Sequence, residues 1–236
     1  MHSVSTFVRG SLKLVPRLIA FLGPDGAGKS THVELLINFF KSHRSRVRKV
    51  WIRSPHTLAY LLSCFLVRIG FYRVVSKPFG RQWKIPAVNT SQSFKILWSV
   101  IELVSVLPLI LFRVYIPLYL GYTLVAERYV VDTIVNIAYF TNDLNFLQSR
   151  LAKFLLYFVP KNTIFIHLDS EYSVIMKRRH RMVESYDFIE FQRVGYKIIG
   201  DSVSAKYIDT SNISVKQTSM LILHWLRINQ VFETNN

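Results

Sequence analysis

One short run constrains this chain more than any other: Gly23-Pro24-Asp25-Gly26-Ala27-Gly28-Lys29-Ser30, continued by Thr31. It has the spacing Gly, four residues, Gly-Lys-Ser/Thr, the pattern of a loop that wraps a phosphate chain. Its flanks suit that role. Leu18-Ile19-Ala20-Phe21-Leu22 is an apolar run of strand length. Beyond the loop, Val33, Leu35, Leu36, Ile37, Phe39 and Phe40 are spaced for a helix that buries much of its surface. Strand, glycine loop and helix therefore follow one another in the order such a site needs.

The residue types have physical reasons. Gly23, Gly26 and Gly28 let the backbone bend and approach an anion with no Cβ in the way. Successive N–H groups then form a concave nest, and the helix N-terminus adds its positive dipole end. Lys29 supplies a point charge for the β- and γ-phosphates, and the Ser30 hydroxyl can ligate Mg²⁺. The run predicts a site for a nucleoside triphosphate.

The rest of the chain alternates in the same way. Val47 to Arg53 reads as a second strand after a basic connector, Lys41 to Lys49, read as a solvated turn. Residues 57–75 read as an apolar helix, 76–90 as a linker, and 93–119 as a long helix kinked at Pro108 and Pro117. A third strand, 122–126, ends in Glu127-Arg128-Tyr129. Helices are expected at 132–141 and 147–158, then a fourth strand, 163–168, closing with Asp169. A helix over 171–182 leads into the basic loop Lys177 to Arg181. Asp187 is expected to cap a helix over 188–200, before a short strand at 206–209 and a closing helix at 214–232. The expected fold is one doubly wound α/β domain with a parallel sheet of about five strands. Arg53, Glu127 and Arg128 then stand at the C-terminal ends of strands, where open α/β sheets bind ligands.

Composition narrows the partners. Thirty Lys and Arg against fourteen Asp and Glu give a formal charge of +16, suited to a polyanionic ligand, to nucleic acid or to an anionic membrane surface. No zinc finger, helix-turn-helix or aromatic RNA platform is visible, which argues against a specific nucleic-acid reader. One cysteine, Cys64, excludes an internal disulfide, reads as a small core hydrophobe and points to a cytoplasmic protein. His167 and Tyr115, Tyr119 and Tyr122 read as packing residues. Residues 1–16 read as a basic arm outside a domain spanning 17–232. The uncharged pieces 103–112 and 114–126, 10 and 13 residues long, fall short of the ~20 residues a membrane span needs. They read as buried core helices, with a membrane-surface contact left as a second use of their surplus apolar surface.

Four separated pieces together resemble the thymidylate kinases, among the P-loop nucleoside monophosphate kinases. They are the glycine loop with Asp25, then Arg53-Ser54-Pro55, then Glu127-Arg128-Tyr129, and last the strand and basic segment from Pro160 through Arg181 to Tyr186-Asp187-Phe188. The resemblance implies a three-layer P-loop NTPase fold with an arginine-rich lid at about 177–187. It further implies ATP and Mg²⁺ as donor and metal, dTMP as the first acceptor to try, and a homodimer. Residues Gly23 to Thr31 would hold ATP. Lys29 and the lid arginines Arg178, Arg179 and Arg181 would neutralise the transferred phosphoryl, standing in for the glycine-loop arginine that some members carry where this chain has Gly26. Arg53 and Arg128 would hold the acceptor's phosphate and Asp25 its sugar, with Tyr129 and Asp132 on the acceptor side. Glu127, with Ser30, would order Mg²⁺.

The chain also departs from that pattern. The long helix before the third strand carries Glu102 where the family offers an arginine that reads thymine, and its nearest arginine, Arg113, lies about three turns later. Asp132 follows Tyr129 where the family usually places a Ser. These departures resemble the divergent thymidylate-kinase-like branch. They keep open a different acceptor, and a non-enzymatic nucleotide-dependent binding module at a membrane or nucleic acid is the remaining alternative.

Overall fold

The strand β1 (Leu18–Leu22) has all five residues buried in the computed structural model, which describes residues 17–76, 82–179 and 184–226. It is followed by α1 (Lys29–Ser42), β2 (Val47–Trp51), α2 (Thr57–Arg68), β3 (Tyr72–Ser76), β4 (Gln82–Pro86) and α3 (Gln92–Ile110). The helix α3 runs through a π-helical turn (Leu111–Tyr115) into α4 (Ile116–Tyr119). Then come β5 (Thr123–Arg128), α5 (Val130–Thr141), a 3-10 turn (Leu144–Gln148), α6 (Arg150–Tyr157) and β6 (Thr163–Asp169). The chain closes with α7 (Tyr172–Arg179), α8 (Tyr186–Ser202), β7 (Lys206–Asp209) and α9 (Val215–Trp225).

Five strands form one parallel sheet in the order β2-β5-β1-β6-β7. β1 is hydrogen-bonded on both edges, and its side chains alternate between two cores, as the two-residue period of a strand requires. Leu18, Ala20 and Leu22 join α3, α5 and α8 on one face, while Ile19 and Phe21 join α1 and α9 on the other. The parallel sheet of five strands with helices on both faces is thus present.

Several expectations are corrected. The helix expected over 57–75 ends at Arg68, and Tyr72–Ser76 instead pairs antiparallel with Gln82–Pro86, inside the expected linker. An alternating run such as Tyr72-Arg73-Val74-Val75 is satisfied by a strand partner that local periodicity does not reveal. The long helix expected over 93–119 is present, with Pro108 inside α3, Pro117 in α4 and a π-helical turn between them. Lys49 belongs to β2 and not to a solvated turn. Lys177, Arg178 and Arg179 form the last turn of α7 and not a loop. Ser185, not Asp187, caps α8, its side chain accepting from Phe188 N. Cys64, Tyr115 and Tyr119 are exposed, against the expectation that all three are packed inside. The arm 1–16 lies outside the described residues, as do 227–232 of the expected closing helix and 180–183 of the expected lid, Arg181 among them.

Candidate functional site

The C-terminal ends of β1, β2, β5 and β6 open on one side of the sheet, and the glycine loop crosses that side. Backbone space dictates two of its glycines. At Gly23, with φ +131°, a Cβ would stand 1.8 Å from Leu168 O, so no side chain fits between the loop and β6. At Gly26, with φ +98°, a Cβ would meet Ile175 Cγ2 at 2.8 Å and Arg179 Cδ at 3.0 Å. No side chain caps the first turn of α1, where Gly28 is the N-cap. Those N–H groups are left for a ligand. Asp25 to Thr31 line a cavity of about 560 Å³ together with Trp51, Arg53, Glu127, Arg128, Arg178, Arg179 and Thr210.

Within it, Lys29 is buried and donates to Gly23 O and Pro24 O, each at 2.6 Å. Burial lowers its pKa to about 8, against the opposing pull of Asp132 and Glu127. The Asp25 carboxylate collects cations from four segments. Arg128 contacts it directly, Arg53 lies at 3.5 Å, and Lys29 and Arg179 lie at 3.9 Å. Its backbone N donates to Gln192 Oε1 at 3.2 Å, which ties the loop to α8.

Arg128 is held from behind. Its Nη1 donates to Asp132 Oδ1 at 2.7 Å and to Tyr196 OH at 3.1 Å, and Tyr196 OH donates to Asp132 Oδ1 at 2.7 Å. The other Asp132 oxygen accepts from Tyr129 N at 3.0 Å and caps α5. Asp132 and Tyr129 are fully buried, and neither is among the residues lining the cavity. They orient Arg128 and the start of α5.

Glu127 carries the metal expectation. Ser30 Oγ donates to its Oε1, and Lys49 Nζ lies 2.6 Å from its Oε2. Burial works to raise this carboxyl, but the bonds from Lys49 and Ser30 outweigh it and hold its pKa below the usual range. A hydroxyl and an ionised carboxylate in contact suit a hard divalent cation. Among the described residues no cluster of three or more His, Cys, Asp or Glu forms a cage of its own, so further oxygens would come from phosphates and water.

No family model matches this chain, and no curated protein is significantly similar to it. What the cavity can do therefore follows from its own groups.

The two described arginines of α7 differ in use. Arg178 reaches away from Asp25, donating to Thr210 O at 2.5 Å and Thr210 Oγ1 at 3.0 Å, and so docks α7 against the end of β7. Arg179 points to the Asp25 carboxylate. Burial, together with Arg128 and Arg53, lowers its pKa, the mark of a cation placed among cations. Lys49, Trp51, Gln192 and Thr210 went unread in the sequence. Lys49 and Trp51 could have been found by pairing β2 with β5, which sets Lys49 beside Val125 and Trp51 beside Arg128. Gln192 and Thr210 lie far along the chain and carry no local signal. Arg113, the nearest candidate for reading an acceptor base, donates instead to Trp51 O at 2.7 Å.

Proposed function

We propose that this protein is a phosphotransferase of the P-loop nucleoside monophosphate kinase type, moving the γ-phosphoryl of ATP to dTMP. The observation that carries the reading is the gathering of Lys29, Arg53, Arg128 and Arg179 around one carboxylate beside the glycine loop. Four cations from four segments exceed what Asp25 needs and match the charge of two phosphate groups brought together. Phosphoryl transfer depends mainly on positioning and charge neutralisation, which these groups supply.

In this reading the glycine loop and the start of α1 hold the β- and γ-phosphates through backbone N–H groups, with Lys29 exchanging its two carbonyl partners for phosphate oxygens. Arg53 and Arg128 take the acceptor's phosphate, the latter fixed by Asp132 and Tyr196. Arg179, on the lid side, faces the charge that develops between donor and acceptor. Ser30 and Glu127 would hold Mg²⁺, which would supply charge neutralisation to the phosphates. A reaction fed by ATP and Mg²⁺ belongs in the cytoplasm.

One observation favours a second acceptor class. Glu102 is buried beside Ser54, and Arg113 is engaged by Trp51 O. Neither supplies the arginine that thymine recognition in the resembling family uses. ATP consumption with dTMP, dUMP and the other nucleoside monophosphates tests both readings. Selective turnover of dTMP that falls at least about a hundredfold in Lys29→Ala is the expected result. ATP binding with no turnover of any nucleoside monophosphate would rule out the kinase assignment and leave the other acceptor class.

A further inference from the structure

The helices α2 and α3 carry apolar surface that the sheet does not cover. Along α3 and its continuation, Leu103, Val106, Ile110, Val114 and Leu118 are buried in the core. The opposite face presents Leu97, Val100, Val104, Leu111 and Tyr115, all exposed and all at helical spacing. α2 repeats the arrangement: Leu58, Leu61 and Phe65 make an exposed stripe continued by Ile69, and Ala59 alone is buried. The two helices lie side by side and antiparallel. Thr57 Oγ1 donates to Ser105 O at 3.2 Å at one end, and the rings of Phe71 and Phe94 lie 5.5 Å apart at the other. Their stripes therefore adjoin in one apolar face, larger than scattered surface residues make.

The charge that the segment carrying that face exposes is basic, with Asp143 of a neighbouring segment beside Lys95 at one end. Between Glu34 and Glu127 the only acidic residue is Glu102, and it is fully buried. Arg68, Lys84 and Arg113 are exposed, and Lys95 is half-buried. A second copy docked here about a twofold axis would set these cations against their own kind. Anionic headgroups would neutralise them. Gln92–Tyr119 is long and apolar enough to cross a bilayer, but 39% of its most apolar window is buried within the domain, so one side of it is already packed against the protein. A helix with one side built into a sheet core can lie on a membrane by its other side.

We propose that the α2–α3 face docks on the surface of an anionic phospholipid bilayer. The two stripes enter the headgroup–acyl boundary, and Arg68, Lys84 and Lys95 meet the phosphates. This inference stands apart from the reaction assigned to the cavity. The test is flotation of the full chain with vesicles of phosphatidylcholine alone and of phosphatidylcholine with phosphatidylglycerol, alongside light scattering without lipid. The protein is expected to float with the anionic vesicles and not with the neutral ones. The triple variant Leu61→Ser, Phe65→Ser, Val104→Ser changes only exposed positions and is expected to keep its melting temperature while binding at least about tenfold less. Should that variant fold poorly, Arg68→Glu with Lys84→Glu reads the charge half alone, with about a tenfold loss expected on anionic vesicles. Failure of the wild type to float with either vesicle overturns the proposal. So does a dimer in solution that the triple variant dissolves while flotation is absent, since a second copy would then own the face.

Discussion

Glu102 is buried with no cation beside it. Ser54 Oγ donates to one of its oxygens at 2.6 Å, and the other has no partner. Burial raises the carboxyl from 4.5 to about 7, against the Ser54 bond, which pulls it down. The folded protein therefore keeps a proton that the unfolded chain has released between these two values. Unfolding releases that proton across the window, so the contribution of Glu102 to stability falls as pH rises through it, by up to about 3 kcal/mol. His32, His56 and His167, each lowered by burial to about 4, contribute in the opposite sense. Glu102→Gln is expected to remove its falling contribution, so that the variant gains more stability than the wild type on going from pH 5 to pH 8, read from denaturant midpoints at the two values. An unchanged slope in the variant would assign the effect to another group. At this scale the sequence was informative where chemistry is local. Lys29 and Ser30 stand in a motif whose spacing encodes their role, and Arg128 ends a buried strand where charge needs a partner. The surroundings of Asp132 were not legible, because its partner Tyr196 stands on a helix far along the chain.

The helix α7 brings one of its side chains against the glycine loop. The stem of Arg179 lies against Gly26, its Cδ 3.0 Å from where a Cβ would stand. The loop thus has no room for an arginine of its own, and its φ of +98° disfavours any side chain. Arg179→Ala is expected to lower kcat at least about a hundredfold with little change in melting temperature, since the side chain serves charge and not packing. Adding Gly26→Arg to that variant is expected to restore nothing, and recovery of activity would show that the loop can rearrange. Arg178→Ala is expected instead to loosen α7, with a loss of about 1–3 kcal/mol in stability from its bonds to Thr210. The sequence showed a cluster of arginines but not this division of labour, because two adjacent residues on a helix, Arg178 and Arg179, face different directions. The β3–β4 hairpin was missed for a related reason, its register being set by a partner across the intervening chain.

At the scale of the molecule, β1 joins two cores, one on each face of the sheet, and the glycine loop leaves directly from its end. Amides of β1, β5 and β6 are expected to exchange hydrogen only on global unfolding, while those of β3 and β4 exchange sooner. That hairpin rests on a small cluster built around Ile85, Val88, Trp98 and Phe140. Equal protection of hairpin and central strands by mass spectrometry would contradict this order. The alternation of strand and helix was legible along the whole chain, since apolar runs of strand length recur between helical stretches. The path of α2 and the hairpin was not, because an apolar helix looks alike whether core or solvent lies beside it.

The sheet is open, and among the described residues β2 and β7 each pair on one side only. A parallel sheet with free edges is a template on which further copies could add strand by strand. β2 exposes Arg48 and Lys49 along its free edge, and β7 opens with exposed Lys206. Lys49 is already paired with Glu34 and Glu127, so Arg48 and Lys206 are the exposed cations left to repel a second edge. The basic surplus of the chain therefore also works as a guard against self-templating, and that guard weakens as salt screens it.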